Sequence, residues 1–325
     1  MPENAITESD HRFPNATTIA IAAILVALPI VLPSLTLASE IVVLATGALS
    51  CTLLLGSVGL LSFGQGLYFG LGAYVAAILL RDVEVGALTA VVAGIATGAV
   101  VAALTGLVIV RRTGVYFVIL TLAFAQMGFF LALAFPDITG GENGFGNVPR
   151  ASVAFGRISL ASPILLYAAL ATCAFVAFIF VQRIIASPFG SVLRAIRTNE
   201  GRSEALGYDV RLFKLAALTM AGAIAGLAGA MNTLLLNFVP LSAIDFESSE
   251  KLIIASLIGG VGSPLGALVG AGFVAAMSDF LSPIWPRWSI VVAVLLILTV
   301  LYLRDGLLGL GGVARRLLQR NAAHG

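Results

Sequence analysis

Gln65, Tyr116, Thr121, Gln126, Asn232 and Asn237 are uncharged polar residues set inside long apolar runs of a 325-residue chain. Hydrocarbon offers such groups no water, so each must find a hydrogen-bond partner or face a wet path. For any one of them an interhelical hydrogen bond is the plainer role. Taken together they are the candidate lining of a translocation path, with Gln65, Tyr116, Thr121 and Gln126 at its centre. Covalent chemistry has little material to work with. The two histidines, His11 and His324, sit in the tails, and Cys51 and Cys173 lie within apolar runs. Neither a disulfide framework, a metal centre nor a catalytic triad can be assembled from these. No Gly-x-x-x-x-Gly-Lys-Ser/Thr loop exists to cradle a nucleotide phosphate. The expected chemistry is transport, not catalysis, with no cofactor and no metal.

Composition says what must position such residues. Hydrophobic residues make up 59% of the chain and charged residues 10%, where soluble domains carry about 25% charged. This is an all-α polytopic membrane protein surrounded by lipid. The net charge of +2 reflects arginines retained between spans and implies no nucleic-acid partner. The first apolar run follows Glu3, Glu8 and Asp10 beside Arg12, and further spans follow at once. It reads as a retained first helix, not a cleaved signal peptide.

A helix needs about 20 apolar residues to cross. Candidate spans are 18–35, 41–61, 66–80, 86–110, 115–135, 163–181, 215–238, a broken stretch 251–281, and 289–303, giving about ten transmembrane segments with broken or re-entrant helices. No charged residue falls in their cores, with Lys251 and Asp279 at the ends of theirs. Coupled carriers usually place ionisable groups inside spans, so that absence argues against one.

The longest charged interval, 183–214, carries Arg183, Arg194, Arg197, Arg202, Arg211 and Lys214 against Glu200, Glu204 and Asp209. Such an excess beside membrane spans belongs on the cytoplasmic side. Val192, Leu193, Ile196, Ala205 and Leu206 recur between the charges at helical spacing, which predicts two short amphipathic helices forming a docking surface. Counting spans from there places both termini, 1–17 and 304–325, inside. Arg111 and Arg112 also fall inside, and 136–162, bent by Gly140, Gly141, Gly144 and Gly146, is an outer loop. The permease domain is 18–303.

Within the broken stretch, Gly259, Gly260 and Gly262 precede Pro264, a run that no straight helix tolerates. Gly59, Gly66, Gly70, Gly72 and Ala76 recur 200 residues later as Gly259, Gly266, Gly270, Gly272 and Ala276. Broken helices at matching positions of two halves point to a transport path. Small residues four apart (Gly94 and Gly98, Gly222 and Gly226) predict close helix packing.

The stretches GLLSFGQGLYFGLGAY from Gly59, RTGVYFVILTLAFAQ from Arg112, Thr139-Gly140-Gly141, SPFG from Ser187 with Arg194-Ala195-Ile196-Arg197, and GGVGSPLGA from Gly259 resemble the LivM-type permeases of branched-chain amino acid ABC importers. The resemblance implies an ATP-driven importer in the bacterial inner membrane. It implies three kinds of partner: a LivH-like permease, two ABC ATPases, and a periplasmic or extracellular amino-acid-binding protein. The 183–214 loop would couple to the ATPases through Arg194, Arg197, Glu200, Glu204, Ala205 and Gly207, and the glycine turn would join the path. Two alternatives stay open: a permease for urea or short amides, and a self-sufficient channel or facilitator without a docking surface.

Overall fold

The computed structural model describes residues 14–150, 152–153, 158–283, 288–302 and 306–308. The tail residues His11, His324 and the arginines beyond 303 lie outside them. In chain order the helices are α1 (Pro14–Val31), α2 (Leu35–Leu53), α3 (Gln65–Asp82), α4 (Ala87–Ile109), α5 (Val115–Ala134) and α6 (Pro136–Thr139). A two-residue hairpin of β1 (Ser152–Val153) and β2 (Ile158–Ser159) follows. Then come α7 (Pro163–Ala186), α8 (Pro188–Thr198), α9 (Glu200–Ala205), α10 (Val210–Leu236), α11 (Phe246–Gly259), α12 (Pro264–Leu281) and α13 (Trp288–Tyr302).

Among the described residues, six helices are long and apolar enough to cross a membrane: α2 with its extension to Val58, α4, α5, α7, α10 and α12. The remainder of the ten expected segments, α1, α3, α11 and α13, are shorter or less apolar. With 14 residues, α11 is roughly 21 Å long at 1.5 Å per residue, short of the ~30 Å hydrocarbon core. It is a half-span.

One boundary moves with consequence. The second span starts at Leu35, not at 41, because the Ser34 side chain accepts from the Leu37 N–H at 3.1 Å and caps the helix. That brings Glu40 into the second turn of the span, near its end and exposed, and leaves the core of the span free of charge. Lys251 likewise sits within α11, which begins at Phe246, and not at a helix end.

At the centre, α2 and α10 bury most of their length. Between apolar helices in lipid there is no hydrophobic drive, so backbones must approach until dispersion and packing suffice. Small residues do this where α4 crosses α10. A Cβ on Gly98 would lie 2.2 Å from the Gly222 carbonyl oxygen, and one on Gly226 would lie 2.3 Å from that of Gly94. Gly106 of α4 meets Leu215 and Leu218 near the start of α10, so the two helices run antiparallel. The turn holding Arg111 and Arg112 therefore shares one end of the molecule with α8 and α9. At the other end, Phe145 of the long loop after α5 exchanges backbone bonds with Val239 (2.8 and 3.0 Å), and Arg81 covers the Phe145 ring at 3.7 Å.

Candidate functional site

Two places gather the residues singled out above: a break at the heart of the bundle and a pair of short helices at one end. The break begins where α2 widens into a π-helical turn, Leu54–Val58, a distortion that recurs at functional sites. Gly59 ends it with φ +78°, and residues 60–64 run back into the bundle before α3 starts at Gln65.

Gln65 is fully buried. Its Oε1 accepts from Ser50 Oγ at 3.1 Å, while its Nε2 has no hydrogen-bond partner among the described residues. Thr121 is equally buried and accepts the Phe63 N–H at 3.1 Å. From the other half of the chain, Ser249 Oγ donates to the Phe63 carbonyl (2.6 Å) and accepts the Gly66 N–H (2.8 Å). The Thr52 and Ser256 hydroxyls meet at 2.9 Å, and the Phe63 ring stacks on Phe246 at 5.2 Å. The unwound backbone at membrane depth is thus satisfied by hydroxyls of neighbouring helices, as it must be in a medium without water.

Other expected path residues separate from this cluster. Gln126 is half-buried on α5. Tyr116, at the first turn of α5, is 73% exposed and suits the aromatic belt of a membrane interface better than a lining. Asn237 ends α10 in the left-handed conformation at φ +52°, a capping role. Gly259 and Gly260 are buried and Gly262 is exposed. Gly260 turns the chain at φ +107°, and α12 then packs back on α11 so closely that a Cβ on Gly259 would sit 1.8 Å from the Gly266 oxygen. The two breaks touch, because a Cβ on Gly56 would lie 2.2 Å from the Val261 carbonyl oxygen. The hydroxyls of Ser50, Thr52, Ser249 and Ser256 went unmarked in the sequence, where their only signal is a serine or threonine in an apolar run.

At the end of the molecule, Ser187 caps α8 by accepting the Gly190 N–H at 3.3 Å, and Pro188 opens it. Leu193 and Ile196 turn inward and are buried. Arg194 donates to the Ile185 carbonyl (2.6 Å) and to Ser191 Oγ (3.0 Å). Arg197 donates to the Gly56 carbonyl inside the π-helical turn, tying α8 to the break. Lys214, 3% exposed, holds Glu200 at 2.6 Å and anchors the start of α9 to α10. Three of the six residues expected at the coupling surface, Arg194, Arg197 and Glu200, therefore tie the pair to the bundle. The others face out. Glu204, Ala205, Leu206, Gly207 and Tyr208 form one exposed tip, with Leu206 72% exposed. Gly207 closes α9 at φ +91° with nothing within 4 Å of an added Cβ, its N–H bonding the Glu204 carbonyl at 2.9 Å.

Such a bundle of long apolar helices is an all-α polytopic membrane fold. The chain belongs to the family of permease components of branched-chain amino acid transport systems, which matches residues 34–301. It is 24% identical over 281 residues to the high-affinity branched-chain amino acid transport system permease protein LivM of Escherichia coli (strain K12), covering 80% of this chain and 66% of that one. The Salmonella typhimurium protein of the same description matches with the same identity and coverage. A probable branched-chain amino acid transport permease protein LivM of Methanocaldococcus jannaschii is 31% identical over 100 residues, 30% of this chain and 28% of that one. The chain thus spans just under two thirds of the length of the first two relatives. No solved structure matches it.

Proposed function

We propose that this protein is the membrane-spanning permease subunit of an ABC importer that translocates branched-chain amino acids delivered by a periplasmic or extracellular binding protein. A LivH-like permease completes the path, and two separate ATPases hydrolyse ATP. It lies in the bacterial inner membrane with both termini in the cytoplasm. The end bearing α8, α9, Arg111 and Arg112 faces the cytoplasm, since basic loops are retained there. The domain organisation follows: tails at 1–17 and 304–325, the permease between them, the coupling loop at 183–214 and the outer loop at 136–162.

The observation that carries this reading is the division of labour in α8 and α9. Arg194, Arg197 and Glu200 bind the pair rigidly to the bundle, while an unpartnered, partly apolar tip projects from it. A subunit that takes its energy from another chain needs such a linkage between a docking tip and the transmembrane break. A facilitator has no use for one. The relatives named for branched-chain amino acids support that substrate over urea or short amides.

Reconstitution tests it. Alone in liposomes the protein should neither hydrolyse ATP nor accumulate solute. With the second permease, the ATPases and the binding protein it should take up leucine, isoleucine or valine only when ATP is supplied. Robust uptake by the lone chain would establish the facilitator instead.

A further inference from the structure

Glu40 of α2 and Lys251 of α11 are exposed charges on helices of an apolar bundle, where an ionised side chain marks a wet or partnered surface. Both line a cavity of about 170 Å³ between α2, α11 and the segment joining α10 to α11. Most of its remaining wall is apolar, with Val43, Leu44, Phe69 and Leu252, and Asn232, Ser242 and Ser248 add polar groups to it. A second cavity, of about 380 Å³, shares Glu40, Leu44 and Lys251 with the first and adds Asp279. Glu40 is 16 residues from Gly56 on α2, roughly 24 Å at 1.5 Å per residue. The cavity therefore lies at the opposite half of the bundle from the contact between Arg197 and the π-helical turn.

We propose that this cavity is a subsite for a zwitterionic α-amino acid. Its ammonium is met by Glu40, its carboxylate by Lys251, and its side chain lies on Val43, Leu44, Phe69 and Leu252. The inference rests on the substrate reading above and adds to it the place where the permease holds its cargo. The chemistry fits in each part. Lys251 now pairs with Glu247 at 2.7 Å, but both side chains are more than half exposed, so the pair is weak. An ammonium also has three donors, which leaves Lys251 free to take a second carboxylate. A free amino acid carries both charges about one carbon apart, so an acid and a base on facing helices meet it with opposite signs. The apolar walls then favour an aliphatic side chain over a polar one. Space is sufficient, since about 10–15 Å³ of such volume already holds one water and the cavity has about 170 Å³.

The test uses the assembled complex of both permeases and the ATPases in detergent, without binding protein. Radiolabelled leucine binding is competed with leucinamide, which lacks the carboxylate, and with 4-methylpentanoate, which lacks the ammonium. The unaltered complex should bind leucine and prefer it to both analogues. Lys251→Gln should weaken leucine about tenfold, the loss expected of one charge-assisted contact, and erase the preference over leucinamide. Glu40→Gln should erase the preference over 4-methylpentanoate. Lys251→Arg keeps the charge and should keep most binding, which separates loss of the site from loss of the fold. Variants that bind and discriminate like the unaltered complex overturn the site. So does an unaltered importer that takes up leucine in proteoliposomes yet binds none without its binding protein. Absence of leucine uptake by the complete, unaltered importer overturns the substrate reading, and the site with it.

Discussion

Ser249 shows how much a single hydroxyl carries when there is no water to share the work. It satisfies the Phe63 carbonyl and the Gly66 N–H at once, two backbone groups that no helix serves because the chain is unwound there. Thr97, by contrast, donates only to the Ala93 carbonyl of its own helix, which already has a backbone partner. Ser249→Ala should therefore lower the stability of the detergent-solubilised protein by about 1–2 kcal/mol, near the upper end for polar contacts in membrane proteins. Thr97→Ala should change it by a few tenths at most. Thermal unfolding of the purified variants measures the difference, and equal midpoints would show that the break does not depend on Ser249. Neither role is readable from sequence. A serine in an apolar run looks the same whether it bonds back to its own helix or bridges to another. Tyr116 poses the converse problem, because an exposed tyrosine at a helix end is equally at home at the membrane interface.

At the scale of elements, the glycine spacing is legible and its partners are not. Small residues four apart announce close approach, and α4 on α10 bears this out. Gly259, Gly266 and Gly270 approach within one hairpin, where an added Cβ would meet carbonyl oxygens at 2.0 Å or less. Gly66 and Gly70, their echoes 200 residues earlier, instead receive Asp245, Ser249 and Ile244 from the other half. The repeat is preserved in the sequence, but the contacts it makes depend on which neighbour each half finds. Gly259→Ala should sharply reduce the yield of monodisperse protein, since backbone cannot yield as a side-chain tip can. Gly262→Ala, with open space around it, should leave yield unchanged. Fluorescence-detected size exclusion reads both, and equal losses would mean that the turn itself, and not the hairpin packing behind it, sets the requirement.

Across the whole molecule, charge and exposure sort the two ends. One collects Arg111, Arg112, Arg183, Arg194, Arg197, Arg202, Arg211 and Lys214, and the other Arg81, Arg150 and Lys251 among acids. The amphipathic pattern of 183–214 makes α8 and α9 visible from sequence, since Leu193 and Ile196 recur on one face between arginines. What the pattern cannot say is which arginines point in. A basic residue that bonds a carbonyl of the bundle and one that faces a partner occupy the same helical register. Gly207, expected among the coupling residues, has a φ of +91° that adds a strain of about 1 kcal/mol to any side chain placed there. Leu206 is free of that ambiguity, being exposed and in the ordinary right-handed conformation at φ −81°. The most direct test of the account is therefore Leu206→Asp in the complete importer, measuring ATP-dependent leucine uptake alongside co-purification of the ATPases. Insertion and thermal stability should stay at the unaltered level, while uptake falls by about tenfold or more as an apolar anchor is lost and a charge is buried. Normal uptake with the ATPases bound would contradict the account and place the docking surface elsewhere on this face.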